Sequence, residues 1–117
     1  MANASKRKGD AWEVACVKAL KEAGFSQVSR LRQNGRKDVG DLGGLEWFGL
    51  ECKDDNSLSA VKMVEQADRE AVHAMKPFGV VLRKSPRRPA DEMVVMMSFA
   101  TFVRLNKYME DSRPKGR

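Results

Sequence analysis

Glu51 and Lys53 stand two residues apart in the apolar run FGLECK, and Asp41 lies ten residues before Glu51 in GDLGGLEWFGLECK. Extended backbone alternates its side chains, so Phe48, Leu50 and Cys52 share one face and Trp47, Gly49, Glu51 and Lys53 the other. If Gly43 and Gly44 reverse the chain, Asp41 reaches the face that carries Glu51. Two carboxylates at close range repel unless positive charge sits between them. A hard divalent cation with oxygen ligands, such as magnesium, answers that need. Lys53 beside it could orient or activate a water, or stabilise charge on a phosphate during transfer. A lone Glu-x-Lys reads first as a surface ion pair on a solvated sheet face, and Asp41 and then Glu13 strengthen the case for a site. Glu13 lies three residues after Asp10, as in a capping box. It also shares a helical face with Cys16, Val17 and Leu20, where an acid is costly without a partner.

Several elements are needed to bring these residues together. Residues 1–9 read as a flexible basic arm, residues 10–108 as one domain and residues 109–117 as a basic tail. A helix is expected from Asp10 to Ala23, capped by Asp10 and stopped by Gly24. Strands follow over 25–33, 39–42 and 46–53, with NGRKD as a turn between the first two. A second helix runs from Ala60 to Met75, with Ala60, Val64, Ala67, Ala71 and Met75 on one face, and Pro77 ends it. The run 78–84 is apolar enough to be buried on both faces of a sheet. A proline-bearing loop over 85–92, a fifth strand over 93–97 and a helix from Ser98 to Tyr108 complete the order. This is αβββαββα around one mixed five-stranded sheet flanked by helices, an α/β or α+β domain.

The 117 residues suit one core but not two. Lysine and arginine number 22 against 16 acids, and a net charge of +6 favours a polyanionic partner, nucleic acid first. No run approaches a membrane span, and the N-terminus has no apolar stretch after its basic residues. An intracellular, cytoplasmic location is therefore expected. Cys16 and Cys52 form no Cys-x-x-Cys or Cys/His pattern and read as small buried hydrophobes rather than zinc ligands. With one histidine, His73, near a helix end, a triad hydrolase is implausible.

Taken in order, Gly9 and Glu13, then Gly40-Asp41-Leu42, then Glu51-Cys52-Lys53 ahead of a helix, resemble the PD-(D/E)XK nuclease superfamily. Within it, RKGDAWE, RQNGRKDVGDLGG and the element order look most like small Holliday-junction resolvases of archaea and phages. The likeness spans most of residues 7–105. Gly40 stands where the superfamily's name would put a proline. The resemblance implies a restriction-endonuclease-like core and hydrolysis of a DNA phosphodiester leaving a 5′-phosphate. It also implies a homodimer that cuts opposed strands, in the host cytoplasm if the protein is a phage's. It makes Asp41 and Glu51 direct magnesium ligands, with manganese able to substitute, helped by the backbone carbonyl of Cys52. Glu13 becomes a further ligand, Lys53 the catalytic lysine and Gln66 an accessory residue. Asp38 ranks below Asp41, and Asp54 and Asp55 read as loop and helix-start residues. Arg7, Lys8, Arg30, Arg32, Arg36 and Lys37, with Arg83, Lys84, Arg87 and Arg88, would contact the DNA backbone. A nicking or restriction-like nuclease and a non-catalytic DNA-binding module are the alternatives.

Overall fold

The computed structural model describes residues 4–32, 38–55 and 57–114. Its element order is α1 (Ala4–Glu22), β1 (Ser29–Arg30), β2 (Leu42–Gly43), β3 (Phe48–Lys53), α2 (Ala60–His73), β4 (Phe78–Arg83), a single 3-10 turn (Ala90–Glu92), β5 (Val94–Met96) and α3 (Phe99–Asp111). The chain is an α+β fold with three helices and one mixed five-stranded sheet, ordered β1-β2-β3-β4-β5. Only β3 and β4 run parallel, because α2 carries the chain back between them, and the other neighbours are antiparallel.

The two faces of the sheet hold different helices. Leu50, Leu42, Val80 and Leu82 pack with Trp12 and Cys16 of α1 and with Val28. Trp12 ties that layer down, since its indole N–H donates to the Leu82 carbonyl at 3.0 Å. On the other face Val81 packs with Met63 and Ala67 of α2 and with Met96. A Cβ on Gly79 would lie 2.5 Å from the Ala67 carbonyl oxygen, so glycine there lets α2 approach the sheet. All of β4 from Phe78 to Leu82 is buried, as expected of a strand covered on both sides.

Several boundaries differ from the sequence reading. Helix α1 begins at Ala4, so most of the expected arm is its first turns. Asp10 is therefore inside the helix, where it accepts from Lys6 one turn earlier at 3.1 Å, and caps nothing. The first strand shrinks to two residues, and Gly43 pairs with Ser29 instead of turning. The turn falls to Gly44, whose φ of +107° suits a residue without a Cβ. Met75 lies beyond α2 and is 91% exposed, while the buried stripe of that helix is Met63, Ala67, Glu70 and Ala71. Ser98 caps α3 as expected, accepting from the Thr101 amide, but the helix continues to Asp111. No helix among the described residues is long and apolar enough to cross a membrane.

Candidate metal centre

The alternation in β3 decides where its charges go. Leu50 enters the α1 layer, and Glu51, one residue on, faces α2 and is buried to 3% exposure. There it meets Glu70, the one charged member of the buried stripe of α2. Asp38 completes the group. Its carboxylate accepts from the Gly40 amide at 2.9 Å, and Gly40 adopts a φ of +103°. A Cβ at Gly40 would lie 2.9 Å from the Leu50 carbonyl oxygen, so glycine allows this loop to lie against β3. His73 supports the same loop, with Nδ1 donating to the Asp38 carbonyl at 2.9 Å. Because a carbonyl only accepts, that contact places the imidazole proton on Nδ1.

Oxygens of Asp38, Glu51 and Glu70 lie within 4.8 Å of one another, and the three residues could hold a metal ion. Among the described residues, buried Glu51 Oε1 and Glu70 Oε2 have no hydrogen-bond donor. Glu70 Oε1 accepts from the Gln66 amide at 2.9 Å, which leaves Oε2 turned to the cluster. Unpaired buried oxygens of this kind are costly, and either a shared proton or a cation would satisfy them. Three carboxylates and no sulfur or imidazole donor make a set that fits a hard cation.

Without a cation the protons must serve. Burial pushes the Glu51 carboxyl far above its ordinary value of 4.5, and the neighbouring acids Asp41 and Glu70 add to the shift. Burial also raises Glu70. The folded state thus keeps a proton on Glu51 that the unfolded chain releases above about pH 4.5. Between those two pKa values the fold binds more protons than the unfolded chain, so its stability falls as pH rises. In EDTA the thermal midpoint should therefore decline from about pH 6 to about pH 9, by more in the wild type than in Glu51→Gln, which has no proton to lose there. Equal slopes for the two proteins would show that Glu51 does not hold the proton.

Asp41 borders the cluster. Its Oδ2 accepts from the Cys52 amide at 2.8 Å, and its own amide donates to Leu50 at 2.8 Å, which splices the loop onto β3. Lys53 Nζ lies 3.7 Å from Glu51 Oε2. Glu13 stands elsewhere. It belongs to α1, on the opposite face of the sheet from α2, and it accepts from Arg30 Nε at 3.0 Å. Arg30 also reaches Asp10, at 2.8 Å. Burial and the nearby Asp41 raise the Glu13 carboxyl, so Asp41 is the acid common to both surroundings. Cys52 presents its thiol to Cys16, and that contact together with burial pushes the thiol far above its usual range.

The fold gathers cations from distant parts of the chain in two places, around Asp54 and around Glu13 and Asp41. Lys8 of α1 and Lys84 each lie 3.8 Å from Asp54, and with Arg87 they line a cleft. A second cleft, sharing Lys8, Asp54 and Asp55, includes Lys53. Around Glu13 and Asp41, Lys6, Arg30 and Arg32 line a hollow. Arg88 instead pairs with Glu92 at 2.8 Å. Arg7 is exposed on α1, and Arg83 ends β4 opposite Lys53. Arg36 and Lys37 lie outside the described residues.

Sequence reasoning offered Gln66 only as an accessory residue, against an equal reading as a solvated helix residue, and missed Glu70, the residue that Gln66 holds. A signal existed, since Glu70 falls three residues after Ala67 and beside Ala71 on the apolar stripe. Comparison with family models, with curated proteins and with solved structures returns no match to this chain.

Proposed function

We propose that the chain is a metal-dependent DNA endonuclease of the PD-(D/E)XK type, acting on four-way junctions. The observation that carries this reading is the cluster of Asp38, Glu51 and Glu70, with Asp41 and Lys53 at its margin. Its metal is magnesium, with manganese as a substitute, because every side-chain donor is a carboxylate oxygen.

Glu51, Glu70 and Asp38 would hold the ion, with Asp41 positioned to join them. When bound, such an ion supplies charge stabilisation to a phosphoryl oxygen and acidity to water. The chain's own groups do the rest. Asp41 locks the start of the site to β3 through the Cys52 amide. Lys53 presents an ammonium at the same edge, where it meets the phosphate undergoing attack and offsets its growing negative charge. Lys8, Lys84 and Arg87 beside Asp54, and Arg30 and Arg32 beside Asp41, are the cations available to hold DNA phosphates. Arg30 already bridges Asp10 and Glu13, so it also keeps Glu13 in place beside Asp41.

Substrate choice is tested by offering a four-way junction and a linear duplex of the same sequence with magnesium. The junction should be incised at least tenfold faster. Equal rates would remove the resolvase assignment and leave a nuclease of broader taste.

A further inference from the structure

Asp54 follows Lys53 at the end of β3, and its side chain is only 12% exposed. It turns one carboxylate oxygen to each of two lysines. Oδ1 lies 3.8 Å from the Lys8 ammonium of α1, and Oδ2 lies 3.8 Å from the Lys84 ammonium just past β4. Neither contact is short enough for a hydrogen bond, and both ammonium groups are well exposed, so the pairing is coulombic and loosely held. The lysines do not need Asp54 to stay where they are. Lys8 is carried by α1. The Lys84 amide donates to the Lys53 carbonyl at 3.0 Å, and its ammonium lies 5.9 Å from the centre of the Trp12 ring. The next acid, Asp55, is engaged elsewhere, accepting from the amide and the hydroxyl of Ser57. Arg87 brings a third cation to the cleft. Its φ of +63° falls in the left-handed region that favours glycine, so the chain holds an arginine there against its backbone preference.

We propose that Asp54 is a built-in competitor for the substrate: its carboxylate takes the place of a DNA phosphate on Lys8 and Lys84, and DNA enters this cleft by displacing it. This rests on the nucleic-acid reading above and adds to it the residue that limits how strongly the cleft binds. A phosphodiester, like a carboxylate, offers two charged oxygens, and two ammonium groups facing one such pair suit either group. Both cannot stay, because like charges at close range repel, so Asp54 must turn aside. A free phosphate has to displace Asp54 alone. A DNA strand already held by other cations brings its phosphate at high effective concentration. Asp54 therefore reserves the cleft for a polyanion gripped at several points. If Asp54 served instead to align the lysines for DNA, its removal would weaken binding. The long contacts and the separate anchors of both lysines favour competition.

The test is the affinity of the full chain for a linear duplex and for a four-way junction, in EDTA, over a sodium chloride series. Three proteins are compared: the wild type, Asp54→Asn and Glu46→Gln. Glu46 precedes β3 and Asp54 follows it, so the control removes the same charge at the other end of the strand. Asp54→Asn should bind both DNAs at least fivefold more tightly than the wild type at low salt. Its affinity should also fall more steeply with salt, by about 0.9 in the log–log slope for each lysine set free. Glu46→Gln should stay within twofold of the wild type. Melting curves report folding, and Asp54→Ser is the second variant should the asparagine fold poorly. Equal or weaker binding by a folded Asp54 variant, or an equal gain from Glu46→Gln, overturns the proposal and leaves the DNA reading in place. Failure of every protein to bind either DNA overturns the two together.

Discussion

Glu51→Gln should reduce magnesium-dependent incision on the order of 1,000-fold or more, and it should make the metal-free protein more stable. Both effects come from one buried carboxylate. Glu51 is 3% exposed, faces Glu70 and Asp38, and leaves Oε1 without a donor. That arrangement suits a cation and is poor without one. Losing a ligand removes several kcal/mol of charge stabilisation in the transition state, and each ~1.4 kcal/mol is tenfold in rate. Glutamine keeps the shape, needs no shared proton and offers an N–H to the orphaned Glu70 Oε2. Satisfying such a buried group is worth about 1–3 kcal/mol, or several degrees in thermal midpoint for a chain of this size. Stability gained where activity is lost is expected of a strained functional site. Incision assays and melts in EDTA check the two halves. A variant that melts lower than the wild type and cuts as well would sink the account of this cluster.

Lys53→Met should slow incision by about 100- to 1,000-fold, the usual cost of removing one donor aimed at developing charge. Metal affinity should hold or tighten slightly, because an ammonium 3.7 Å from Glu51 opposes a cation at the same place. The split matters. A merely structural Lys53 would weaken metal affinity and lower the melt together, whereas a group acting on the phosphate lowers kcat and leaves the Michaelis constant and the melt in place. Unchanged kcat would remove Lys53 from the chemistry.

How far these residues were legible in the sequence depends on which physical rule governs each. Strand alternation is strict, so the separation of Leu50 from Glu51 could be read directly and the structure shows it. The αβββαββα order was legible too, because its apolar runs and glycine or proline breaks are sharp. Glu70 was harder. The stripe of α2 is wide, and a glutamate on its border looks solvated until Glu51 is known to face it. Asp38 depends on the path of a loop bent at Gly40, which no periodicity announces. For Glu13 the helical phase pointed to the packed side. The sheet face on which α1 sits is a matter of topology, and it places Glu13 with Arg30 across from Glu70. The start of α1 was misread because Asp10 is a good cap in isolation, yet Ala4 to Gly9 contain nothing that stops a helix except Gly9 itself.

The most direct measurement is incision of a DNA four-way junction by the wild type and by Glu51→Gln, each with magnesium and with EDTA. The account predicts nicked product from the wild type with magnesium, and none above background in the other three reactions. Undiminished product in EDTA or from Glu51→Gln, or no product in any reaction, would contradict it.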